Sequence, residues 1–161
     1  MIQYEPSASG LIQFCAALYE RPGVAKTCLA LQDSRGWNVN CLLLCAWAAR
    51  LGYSLTPDFW PHARRAIEIL DADAVTPIRQ LRRSISKHRK LDEDLKAGIK
   101  RLLWYAELRA EQAVEAALHR AMLSYAPAAA SDPLSNLIAC TGEDSPDVRR
   151  LAELFSESIS N

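Results

Sequence analysis

The sequence predicts an all-α fold, a compact single-domain bundle of six to eight helices with one long helix in its C-terminal half. Apolar residues recur at steps of three and four almost throughout the 161-residue chain, the spacing that lines up one face of a helix. No segment sustains the alternation of a half-buried strand. Four dipeptides, Thr56-Pro57, Thr76-Pro77, Asp132-Pro133 and Ser145-Pro146, pair a capping side chain with a proline. Proline suits a first helical position because the amide proton it lacks would be unpaired there, and the residue before it can accept a bond from the next turn.

Taken in order, Leu11, Phe14, Cys15 and Leu18 define a first helix that Pro22-Gly23 ends, and Val24, Cys28 and Leu31 define a second that runs to about Asp33. Gly36 then breaks the chain, and Asn38 is placed to cap a third helix reaching Leu51, with Gly52 after it. The cap-proline pairs open helices over 57–70, with Trp60, Ala63, Ile67 and Leu70 inward; over 77–90, with Ile78, Leu81 and Ile85 inward; over 133–139; and over 146–157, with Val148, Leu151 and Phe155 inward. Between them the stripe Leu95, Ile99, Leu102, Ala106, Ala113, Ala117 and Ala121 predicts a helix over 93–123, roughly 45 Å long at 1.5 Å per residue. Residues 125–131, with Pro127 and a run of alanines, read as a linker too short to divide domains.

Composition sets further bounds. Half of the residues are apolar and 24% charged, which suits a chain that folds alone. The N-terminus lacks the basic start and apolar stretch of a secretory signal, and the longest apolar run, Cys41 to Ala49, is nine residues against the roughly 20 of a membrane span. A cytoplasmic protein without membrane contact is therefore expected. Five cysteines, Cys15, Cys28, Cys41, Cys45 and Cys140, lie in apolar, helical-looking segments and are odd in number, which predicts reduced core thiols. Cys41 and Cys45 stand one turn apart but within the most apolar segment, so they are read as packing rather than chemistry.

Net charge is zero but unevenly spread: residues 64–101 hold eleven bases and six acids, and residues 102–161 four bases and nine acids. The bases concentrate on the expected 77–90 helix, where Arg79, Arg82, Arg83, Lys87 and Lys90 share one side with Ser86, and Arg64 and Arg65 extend them from the helix before. Such a stripe suits phosphates or an acidic protein surface, and equally a solvated face. A protein partner is expected; nucleic acid stays open but no recognition motif or interleaved aromatic supports it.

The acids form Glu107, Glu111, Glu115 and His119, four residues apart along the long helix. Di-iron bundles use Glu-x-x-His twice with two further carboxylates, whereas here the spacing is Glu-x-x-x-His and the nearest second copy is Asp58-x-x-x-His62. A helical metal-binding protein or enzyme built on this stripe is the alternative to a binding protein. Glutamates four residues apart repel, so they require a cationic neighbour, and the Arg79–Lys90 face is the obvious one. No Gly-rich phosphate loop, nucleophile elbow or zinc-type cysteine pairing is present, so no cofactor is expected and binding is favoured over catalysis.

The most distinctive text is Pro22-Gly23-Val24, Cys28-Leu29-Ala30-Leu31-Gln32-Asp33 and Gly36-Trp37-Asn38-Val39-Asn40, leading into Cys41-Leu42-Leu43-Leu44. It resembles a bacterial family of small all-helical proteins of unknown function over most of residues 10–120, with Asn38 standing where the family pattern has Asp. The resemblance implies an all-helical fold and no activity. Physically, Gln32, Asp33, Asn38 and Asn40 gather short polar side chains around one glycine corner. That corner either serves a ligand or partner, or caps helix ends whose amides are otherwise unpaired. The working expectation is a non-enzymatic interaction or regulatory protein that holds another macromolecule by the basic face or the Gln32–Asn40 corner.

Overall fold

The computed structural model describes residues 5–159, and among these it holds eight α-helices and no strand. They are α1 (Ala8–Tyr19), α2 (Val24–Arg35), α3 (Val39–Leu51), α4 (Phe59–Leu70), α5 (Thr76–Lys87), α6 (Glu93–Tyr125), α7 (Pro133–Thr141) and α8 (Pro146–Ile159), with a π-helical turn, Asp71–Val75, joining α4 to α5. The expected all-α bundle and its one long helix are both present.

Every side chain of α3 from Cys41 to Ala48 is buried, so this helix must be covered on all sides, and α1, α2, α6, α7 and α8 surround it. Phe14 of α1 and His119 of α6 meet the Trp47 ring, whose Nε1 donates to His119 Nδ1 at 3.2 Å. The five cysteines are all buried and unpaired. Burial pushes the Cys45 thiol well up, as expected of packing groups. No helix among the described residues is long and apolar enough to cross a membrane.

A buried side chain that the pattern did not announce fastens α3 to the chain around it. Asn136, in the first turn of α7, is 1% exposed. Its Oδ1 accepts from the Leu55 amide at 2.9 Å and from Ser131 Oγ at 3.0 Å; its Nδ2 donates to the carbonyls of Cys45 at 3.2 Å and Tyr53 at 3.3 Å. One amide thus joins α3, the segment after it, the α6–α7 connection and α7. The same connection is pinned a second time where the Ser54 amide donates to the Pro127 carbonyl.

Four expectations need correction. Asp132 and Ser145 cap as read, Asp132 accepting from the Ser135 amide at 3.0 Å and Ser145 Oγ from the Val148 amide at 3.4 Å. Thr76-Pro77 stands at the start of α5 but caps nothing, because no break precedes it. Val75 and Thr76 are already helical, and the Thr76 amide reaches back to the Asp71 carbonyl, five residues away. Proline inside a helix removes one bond and crowds the carbonyl four residues back; widening the preceding turn accommodates the ring without stopping the helix. At Thr56-Pro57 a turn intervenes and α4 begins at Phe59.

The α5 helix ends at Lys87, which leaves Lys90 in the turn before α6. It buries no side chain, and Leu81, expected inward, is 50% exposed. The fourth correction is the α6 stripe. Only Ala117 and Ala121 of it are buried, while Leu95 is 49% and Leu102 73% exposed, and the buried set is Val114, Ala117, Leu118, Ala121 and Met122 joined by Glu107, Glu115 and His119. The helix is longer than the core: its second half packs into the bundle while its first half carries α5.

Truncating Asn136 would orphan the buried Leu55 amide and the Tyr53 carbonyl, each costing roughly 1–3 kcal/mol, and would strip the Cys45 carbonyl of the bond it accepts beyond its helix. Asn136→Ala is therefore expected to lose about 3 kcal/mol or more in urea unfolding, and the isosteric Asn136→Asp a comparable amount because it cannot donate. A loss below about 1 kcal/mol in both would show that the network carries little.

Candidate ligand cleft

A cleft of about 500 Å³ opens between the α2–α3 corner, α1, α5 and the middle of α6. Its formation follows from the corner first. Gly36 ends α2 at φ 73°, a conformation open to glycine, and its amide closes on the Gln32 carbonyl at 2.8 Å. Asn38 then caps α3, its Oδ1 accepting from the Asn40 amide at 2.9 Å, while its Nδ2 faces Asp71 Oδ1 of the π turn at 3.4 Å. The corner and the root of α5 are thereby tied together.

Three of the corner's four polar residues, Gln32, Asn38 and Asn40, line the cleft; Asp33 is exposed and does not. From the basic stripe Arg79, Arg82 and Arg83 line it, whereas Lys87 closes α5 in solvent and Lys90 lies beyond the helix. The carboxylates of α6 supply the floor. Glu107 takes both guanidiniums, Arg79 Nε at 2.9 Å and Arg82 Nε at 2.6 Å, and Glu111 takes Arg79 Nη2 at 2.8 Å. The expected pairing of the glutamate stripe with the basic helix is thus realised inside the molecule. Among the described residues Arg83 forms no ion pair, and the half-buried side-chain amides of Gln32 and Asn40 have no hydrogen-bond partner.

The three glutamates sit in three environments and behave as three groups. At Glu107 burial works to raise the carboxyl, but the hydrogen bonds from Arg82 and Arg79 outweigh it and hold the group below its ordinary value. At Glu111 burial prevails over the single bond from Arg79, so the group lies above its ordinary value. Glu115 has no arginine; burial pushes it up to about 7, neighbouring Glu111 adds to this, and the Cys15 thiol's hydrogen bond opposes it. Burial, followed by the Glu115 charge, raises Cys15 well above an ordinary thiol, which leaves it a poor nucleophile.

The stripe does not converge on a metal. His119 turns into the bundle, where its Nδ1 accepts from Trp47, and burial, then Arg120, lowers its pKa; it is a neutral core imidazole. The weak second copy fares similarly, since the His62 ring stacks on Tyr125 at 4.0 Å. Among the described residues no three His, Cys, Asp or Glu side chains gather as a cation site. Sequence reasoning missed Cys15, Tyr19 and Asp71, which also line the cleft. Cys15 and Tyr19 stand four apart on α1 and so share a face, a signal that predicts adjacency but not what they face.

The fold and site define an all-helical protein with a polar cleft where the glycine corner, an arginine wall and a carboxylate floor meet. The chain belongs to the family described as "Protein of unknown function (DUF2390)", whose sequence profile matches residues 10–118. The matched region contains every residue that lines the cleft, from Ile12 to Glu115, while α7 and α8 lie outside it. No curated protein and no solved structure matches the chain.

Below about pH 4.5 Glu115 is protonated whether or not the chain is folded. Between there and about 7 the unfolded chain gives up the proton and the folded one keeps it, so stability falls as pH rises and then levels off. The loss is at most about 3 kcal/mol. Glu115→Gln is expected to remove this fall, becoming more stable than the parent at pH 8 but not at pH 4.5; parallel stability profiles of the two proteins would contradict the assignment.

Proposed function

We propose that the protein is a non-enzymatic binding protein that holds its partner, a protein segment, in the cleft between the Gln32–Asn40 corner and the arginine wall. One observation carries this reading: two separate stretches of sequence, the corner and the basic helix, meet around one cavity and leave Gln32, Asn40 and Arg83 with unspent hydrogen-bonding groups there. A volume of about 500 Å³ lies within the range of ligand sites. The side-chain amides of Gln32 and Asn40 have no partner within the chain, and a partner's polar groups would pair with them. The working surface is then the cleft, not the outer side of α5, because Arg79 and Arg82 are committed to Glu107 and Glu111.

Chemistry is disfavoured on the same geometry. The thiol in the cleft is raised by burial and by the Glu115 charge beside it, and the imidazole of the stripe points into the core, so the cleft offers neither an activated thiolate nor a free imidazole.

The reading is tested from both walls. Gln32→Ala combined with Asn40→Ala, and separately Arg83→Glu, are each expected to abolish recovery of the same partner from native lysate at unchanged melting temperature, whereas Arg150→Ala on the far exposed face of α8 leaves it. Recovery unaffected by both cleft variants would remove the cleft as the binding surface.

A further inference from the structure

The charges that line the cleft have a pattern that narrows what enters it, provided the cleft is the binding surface. Three cations, Arg79, Arg82 and Arg83, form one wall, and three carboxylates, Glu107, Glu111 and Glu115, form the adjoining floor, with Asp71 at the root. Glu107 is fully engaged, one oxygen to each of two arginines. The unspent capacity therefore lies at two separated places. On the wall are Arg83 and the terminal nitrogens of Arg82, which pairs only through Nε. On the floor are the second oxygen of Glu111, which pairs only through Oε1, and Glu115, whose partner is the thiol of Cys15.

A purely anionic group would meet the arginines but bring its charge against Glu111 and Asp71, and a purely cationic one would meet the reverse. Like charges at such range cost more than the surface average because the site is partly screened from water. A group carrying both signs satisfies both ends and leaves the cleft's balance undisturbed. Guanidinium matches carboxylate geometry in particular, and a carboxylate pair is a common seat for an ammonium. Apolar side chains, Ile12, Leu29, Val39, Leu43 and Leu108, share the lining and suit an aliphatic group on the same ligand.

We infer that the cleft recognises a dipolar ligand, a carboxylate and an ammonium a short distance apart on a ligand that also carries an aliphatic group, with the carboxylate on Arg82 and Arg83 and the ammonium on Glu111, where Glu115 accepts beside it. Two sources present this chemistry: a free peptide of about two residues, through its termini, and a Lys-x-Glu pair on a partner's surface, through its side chains.

Calorimetric titration of the full chain with two probes separates them: the zwitterionic dipeptide Ala-Leu, and the tripeptide Lys-Leu-Glu blocked at both ends. One of the two is expected to bind, and to lose at least tenfold in affinity when either charge is removed. For Ala-Leu the charges are removed by N-acetylation or C-terminal amidation; for the tripeptide, by Lys→Gln or Glu→Gln within the peptide. Arg83→Ala is expected to abolish the penalty for losing the carboxylate but retain that for losing the ammonium, and Glu111→Gln the opposite, a crossed pattern that a merely unfolded variant does not produce.

Single-charge forms that bind as well as the dipolar ones would overturn the inference. So would failure of both probes at millimolar concentration while the Gln32/Asn40 and Arg83 variants still abolish partner recovery, a result that keeps the cleft and discards the dipolar ligand. Failure of both probes together with partner recovery unaffected by those variants removes the cleft itself.

Discussion

The structure depends on the fact that α3 is apolar on every side. A helix with no polar face cannot sit at a surface, so five others must close around it, and their directions are set by that requirement before any finer interaction acts. At the end of α3 the polar backbone has to be satisfied, and Asn136 does this with three bonds while a fourth, from Ser131 Oγ, ties it to the α6–α7 connection. Burial supplies the driving force, and the amide fixes which segments lie against one another.

The α5 helix stands outside that arrangement. Both α4 and α5 pack on α6, but α4 joins the core through Phe59, Trp60, Ala63 and Ile67 while α5 buries no side chain at all. Its attachment rests on half-buried ionic contacts, Arg79 and Arg82 to Glu107 and Glu111, and on its covalent root in the π turn. The cleft lies at this seam between a part of the molecule organised by burial and a part organised by charge. That position explains why neighbouring glutamates on one helix face differ: those reached by α5 are compensated in proportion to the arginines they meet, and the one beyond its reach stays protonated to about neutrality.

Much of this was readable in advance, for physical reasons that differ by element. Helix periodicity located α1, α2, α3 and α8 because their apolar faces meet the core over their whole length. It misled on α6, where a regular stripe from Leu95 to Ala113 extends past the core and only the second half is buried. Capping chemistry located Asp132 and Ser145, whose side chains do accept, and failed at Thr76 because the chain there is already helical and merely widens. The pieces of the cleft were legible one by one, as a corner, a basic face and an acidic stripe, and the pairing of the last two followed from repulsion between glutamates. That the corner belongs with them was not legible, since no spacing encodes a meeting between residues 32–40 and 79–83. Asn136 left no mark for the same reason: its partners are distant in the chain.

The π turn between α4 and α5 is a matter of phase as well as length. A helix advances about 100° per residue, so one residue more or fewer before Thr76 would rotate the α5 face by more than a quarter turn relative to α4. Arg79, Arg82 and Arg83 would then point away from α6, while α4 and the core around α3 stayed as they are. The widened turn acts as the register mark of the whole arginine wall, and the length of this short segment is under a constraint that its own composition, Asp71 to Val75, does not reveal.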